Sequence, residues 1–192
     1  MKKGKLLVGV VFVIIIAIGL GIYFVQNKKV TPKIYKSEKT GLGIEYPESF
    51  GKVETKSINS DEELKQFEEK VSNITDAEVI LQSNNKEIIA MISEKIDTKG
   101  KDEKIALQEM QKALENFFDA EYETWGTRPN VFLNEIKTLK GKQVLEVGYE
   151  TEEIKIRTVF LIKDEYVINI LYVAKADNYN DKNAKYVEYI NF

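Results

Sequence analysis

Two consecutive stretches near the C terminus, Ile154–Lys163 and Tyr166–Ala174, are apolar on both sides of an extended chain. In the first, Ile154, Ile156, Phe160 and Ile162 occupy one face and Val159 and Leu161 the other. In the second, Ile168, Ile170 and Tyr172 stand against Val167, Leu171 and Val173. Successive strand side chains point to opposite faces, so such strands must be covered on both. The chain is therefore constrained to a layered fold with a central sheet, and helices are expected on each side of it.

The flanking sequence supplies partners for these strands. Phe132–Leu139 and Gln143–Tyr149 read as two more strands, and Gly141-Lys142, Glu152-Glu153 and Asp164-Glu165 supply the turns of a meander. Ala77–Gln82 and Glu87–Ile96 read as a hairpin about Asn84-Asn85. Near the start, Ile34–Tyr46 reads as two short strands about a polar turn; Pro47 ends the second, Phe50 sits in a turn, and a strand follows over Lys52–Ile58.

Two helices are expected between these runs. Ser60 and Glu63 form a capping box, with acids in the first turn. Leu64, Phe67 and Val71 then place one apolar stripe on a helix ending near Ser72. The second helix spans Asp102–Asp119 and buries Leu107, Met110, Leu114, Phe117 and Phe118, flanked by Ala106 and Ala113. Met and Phe at this spacing are read as core. Tyr122–Asn130 reads as an irregular loop, and a short helix carrying Tyr186, Val187, Tyr189 and Ile190 closes the chain.

Leu6–Val25 is a run of 20 uncharged residues behind Lys2, Lys3 and Lys5. At 1.5 Å per residue such a helix spans about 30 Å, the hydrocarbon thickness of a bilayer. The run exceeds the apolar core of a cleaved signal and no small-residue cleavage site follows it. The expected organisation is a basic tail (1–5), a transmembrane signal-anchor helix (6–25), a polar linker (26–33) and one globular domain (34–192). This makes the chain a single-pass protein of the cell membrane. Lys28, Lys29 and Lys33 nearly balance the N-terminal lysines; the signal-anchor form favours an extracytoplasmic domain. Ala17 and Gly21 form a small-xxx-small pair suited to helix pairing, although the oligomeric state is not set by it.

Composition narrows the chemistry. The chain has no Cys and no His, which removes Ser-His-Asp and Cys-His catalysis, thiolate and imidazole metal sites and disulfides. All 31 acidic residues but only 25 of the 28 basic ones follow the apolar run, a net charge of about −6 for the domain. Arg128 and Arg157 are the only arginines, so a nucleic-acid partner is not expected. No catalytic residue, cofactor or metal site is assigned. Asp177–Asp181 fails the calcium-loop pattern, with Tyr179 where an oxygen ligand belongs. Trp125 and Arg128 are the candidate interaction surface, an aromatic ring beside a guanidinium. The alternative is that Trp125 folds back over the sheet edge as a plug.

The stretch YKSEKTGLGIEYPESF (residues 35–50) resembles the opening of PsbP-like domains: an aromatic strand, a polar turn, then a Gly-aromatic-x-Ile-x-Tyr-Pro strand ending in a large aromatic. The Gly-Lys-x-hydrophobic strand at Gly141–Leu145 and the closing Asn-Phe fit the same pattern, so the resemblance spans most of residues 34–192. Leu42 replaces the usual aromatic after Gly41, and Phe50 stands where Trp is common. The resemblance implies an α+β fold, an α/β/α sandwich about a central, mostly antiparallel sheet, preceded here by the transmembrane helix. It also implies a binding or accessory role, and no functional residue is carried over from it. The expected function is thus a membrane-tethered, non-enzymatic domain with a protein partner in the membrane or cell envelope. The alternative is a small-ligand carrier or carboxylate-based enzyme using a groove between sheet and helix.

Overall fold

A computed structural model describes residues 31–53, 76–96, 102–125 and 128–192, the side chains of 120–125 excepted. The expected anchor at 6–25 and the helix expected over Ser60–Ser72 lie outside these residues. Among the described residues no helix is long and apolar enough to cross a membrane.

Pro32–Phe192 forms one compact unit. Its strands are β1 (Lys33–Lys36), β2 (Gly43–Tyr46), β3 (Phe50–Val53), β4 (Val79–Ser83), β5 (Ile88–Lys95), β6 (Asn130–Leu139), β7 (Lys142–Glu150), β8 (Ile154–Lys163), β9 (Tyr166–Lys175) and β10 (Ile190–Asn191). One long helix, α1 (Glu103–Trp125), precedes β6; a short helix, α2 (Asp181–Ala184), follows β9 between 3-10 turns at Ala176–Asn178 and Lys185–Glu188. Among the described residues the main sheet has seven strands in the order β3-β4-β5-β9-β8-β7-β6, and a second sheet has three in the order β1-β2-β10. Every pairing is antiparallel. The architecture is α+β.

Turn chemistry sets the meander. Lys140 and Gly141 both have positive φ, 49° and 84°, the two-residue hairpin geometry that matches strand twist and admits Gly without a Cβ penalty. Opposite faces of the main sheet then meet different cover. On the first face, Leu145 and Val147 of β7 and Ile162 of β8 pack with Leu107 and Phe118 of α1. Ile80, Ile88, Ile156 and Val173 form a second buried cluster on the same face. On the second face, Val159, Leu161, Ile168 and Ile170 meet Leu42, just before β2, Ile44 of β2, and Ala184, Val187 and Ile190 of the C-terminal segment.

Two layers therefore cover the sheet among the described residues, as the two-faced strands require, with α1 on the first face and Ala184 of the short helix α2 packed on the second. A three-stranded sheet with short helical turns takes the second face, because β1, β2 and β10 pair among themselves there. Three local readings change. Phe50 begins β3 and is buried, rather than sitting in a turn. The helix continues to Trp125, where an irregular loop from Tyr122 was expected. Phe117 is 47% exposed: consecutive helix residues lie about 100° apart, so Phe117 and Phe118 cannot both face the sheet.

The C-terminal segment is pinned by two polar clusters. Glu87, immediately before β5, is buried and accepts from Ser83 Oγ (2.8 Å), Tyr172 OH (2.7 Å) and Asn183 Nδ2 (2.9 Å). Tyr172 OH in turn accepts from the Asn180 amide (3.0 Å), and the Asn180 side chain caps α2. The second cluster is ionic. Glu146 of β7 is 1% exposed and accepts from Arg157 Nε at 2.6 Å. Lys137 of β6 also pairs with Glu146, and Glu188 pairs with Arg157 and, at 3.5 Å, with Lys137. Two carboxylates and two cations thus close on one another and hold the last 3-10 turn on the sheet.

Candidate functional site: a cleft between helix and sheet

The strand register brings residues from five elements together over the first face. Ile92, Asn169 and Phe160 stand in one cross-strand row, and Leu171, Thr158 and Val147 in the next. Above them pass Leu114, Phe117 and Phe118 of α1, and between helix and sheet lies a cleft of about 250 Å³. The Phe118 and Tyr149 rings form one wall, centroids 5.0 Å apart and tilted by 57°. Phe117 meets Phe118 edge-on at 6.0 Å, at the solvent side. An apolar cleft with a few convergent polar groups is the general form of a ligand site.

The floor carries the polar groups. Thr158 is buried, and its one hydroxyl proton is shared between Asn169 Oδ1 and the Ile170 carbonyl (3.2 Å). The Asn169 Nδ2 group has no hydrogen-bond partner among the described residues, so it remains a donor for an acceptor in the cleft. Glu94 is exposed and contributes the one carboxylate of the lining. A negative rim over an apolar wall disfavours anionic occupants. Burial pushes the Tyr149 phenol up to about 12, so it is neutral at physiological pH.

The same cause acts on the far face. Burial raises the Tyr179 phenol to about 12, and burial together with the Glu87 hydrogen bond raises Tyr172 further. Below pH 10 these phenols are protonated in both folded and unfolded chains. Between about 10 and 12 the unfolded chain releases its protons first, and stability falls. Urea unfolding across a pH series is expected to show a plateau ending near pH 10 and a decline above it; a flat profile to pH 12 contradicts the burial of these rings.

Of the candidate surface expected from sequence, the described residues place the Arg128 side chain alone, exposed just before β6. The Arg128 guanidinium pairs with Asp119 Oδ1 at 2.7 Å and ties α1 to the start of β6. Trp125 is the last residue of α1, and its side chain lies outside the described residues. The cleft residues escaped the sequence reading because each reads as ordinary core. The signal available was Thr158 and Asn169, two polar residues inside otherwise apolar strands on the same face. Among the described residues no group of three acidic side chains is placed to hold a metal ion.

No protein-family model matches the sequence, and no curated protein does. Among solved structures, the chain is similar to the solution structure of cyanobacterial PsbP (CyanoP) from Synechocystis sp. PCC 6803, with a TM-score of 0.55 and 10% identity over 86% of this chain and 94% of that one. At that identity the likeness establishes the fold, and the fold is PsbP-like.

Proposed function

We infer that this chain is a non-enzymatic binding domain, tethered to the membrane through residues 6–25, that holds a partner protein by an apolar side chain seated in the cleft between α1 and the sheet. The observation that carries this reading is the cleft itself: aromatic and aliphatic walls, one free amide donor on the floor and the half-exposed Phe117 at its rim. Its volume suits a single ring or branched chain, below the roughly 300 Å³ at which pockets take drug-sized ligands. Hot-spot side chains of interfaces are anchors of this size in desolvated pockets. A domain on the outer face of the membrane would meet such partners at raised effective concentration.

The test places a photo-crosslinking amino acid at Phe117, and in a control at Lys36 of β1, in full-length protein in its native membranes. A discrete adduct formed from position 117 and not from 36 is expected. Equal labelling from both positions, or none from 117, contradicts the reading. Asn169→Leu, which removes the floor donor, is expected to reduce the adduct while leaving thermal stability within about 1 kcal/mol, the usual range for a partly exposed position.

A second reading, a carrier of a small uncharged molecule, is favoured by the donor on an otherwise apolar floor. A melting-temperature screen of the full chain with small aromatic ketones and alcohols separates the two. A shift that Asn169→Leu abolishes supports the carrier, and a flat screen leaves the protein-anchor reading in place.

A further inference from the structure

The outer edge of the main sheet has a sequence symmetry that the cleft does not use. β6 is an edge strand of ten residues, Asn130–Leu139, paired on one side with β7. A bulge interrupts the ladder between Val131 and Leu133; from Leu133 to Leu139 the register with β7 is regular until the turn at Lys140 and Gly141. An exposed regular edge presents unpaired N–H and C=O groups, which proteins blunt or use. This regular segment reads Leu-Asn-Glu-Ile-Lys-Thr-Leu. Read backwards it repeats its own pattern: apolar, polar, charged, apolar, opposite charge, polar, apolar.

We propose that the β6 edge binds the β6 edge of a second copy of this chain, antiparallel, about a two-fold axis through Ile136. That pairing places Ile136 against Ile136 and Asn134 against Thr138 on the first face. On the second face it sets Leu133 against Leu139 and Glu135 against Lys137. An isologous contact of this kind closes on itself, joining two seven-stranded sheets into one.

The charges decide the register. Glu135 is exposed and stands directly opposite Glu146 within the sheet, a like-charge cross-strand pair that is unfavourable. Lys137 serves Glu146 and Glu188, and Glu135 has no ion-pair partner among the described residues. In the dimer each Glu135 faces the partner's Lys137, whose ammonium has a third proton to donate. Shifting the register by two residues in either direction breaks both Glu–Lys pairs. The Gln111 amide donates to the Asn134 carbonyl at 3.2 Å; a carbonyl accepts two bonds, so the edge stays open to a strand.

The chain has no cysteine, so introduced thiols report the register directly. In full-length protein in detergent, Ile136→Cys is expected to form a disulfide-linked dimer under mild oxidation. Asn134→Cys or Thr138→Cys alone is not, but a mixture of the two is, because only facing positions come within the about 4.4–6.8 Å Cα separation a disulfide spans. Gly51→Cys on β3, the opposite edge, is the control and stays monomeric. Glu135→Lys, an exposed substitution that leaves the fold intact, is expected to weaken sedimentation dimers at least about tenfold by exchanging two attractive pairs for two repulsive ones. Monomer at every concentration, equal cross-linking at position 51, or a dimer indifferent to Glu135→Lys overturns the proposal.

Discussion

Replacing Arg157 by alanine is expected to cost about 3–5 kcal/mol, the range for removing one partner of a buried ion pair. The guanidinium lies between Glu146 and Glu188, and Glu146 is 1% exposed. Without Arg157, Glu146 keeps only Lys137, while two carboxylates remain against one cation on the sheet's second face. Desolvation of Glu146 is then no longer offset. The loss falls on the contact that holds the Lys185–Glu188 turn, so β10 and its pairing with β2 should loosen with it. Thermal unfolding by circular dichroism measures the effect. The double variant Glu146→Leu, Arg157→Met is the sharper comparison. Removing both charges relieves the penalty, and it should be more stable than Arg157→Ala. A double variant that is worse than the single one would mean that the network stabilises by more than mutual compensation.

Phe118→Ala is expected to cost a similar amount, about 3–5 kcal/mol for a large aromatic in a packed core. Phe118 is 3% exposed, packs against Leu145 and Val147 and lies 5.0 Å from the Tyr149 ring. The adjacent substitution Phe117→Ala removes the same atoms from a ring that is 47% exposed, so it should cost less than about 1 kcal/mol. The contrast tests which of the two neighbours faces the sheet. If the cleft works as proposed, Phe117→Ala also reduces partner binding although it barely changes stability. Equal destabilisation by both variants would place Phe117 in the core after all.

Much of the fold was legible locally. Period-two patterning located the strands of the meander to within a few residues, and Gly141 marked its first turn, because side-chain alternation and positive-φ preferences act over neighbouring residues. The two-faced strands β8 and β9 correctly announced cover on both sides. What they did not announce was its kind. A strand buried by a helix and one buried by a second sheet carry the same apolar pattern, so β1 and β2, though read as strands, were not placed over the second face, and Ile190 of β10 was read as part of a closing helix. Phe117 illustrates the same limit on a smaller scale: hydrophobicity alone does not say which of two adjacent phenylalanines turns inward.

By itself, then, the sequence determined a central sheet that has to be covered on both faces, strands joined as a hairpin and a meander, and the absence of histidine and cysteine chemistry. These follow from residue types and short-range spacing. Only the tertiary structure decided that β5 lies beside β9, that Glu87 meets Tyr172 from 85 positions away, and that Arg157 is committed to Glu146 rather than to a ligand. It also decided that a cleft opens over Thr158 and Asn169 and that β6, with its self-complementary segment, stands at the edge of the sheet. Each depends on strand order and register. Those are set by the summed packing of the whole sheet, and no local stretch of the chain contains that sum.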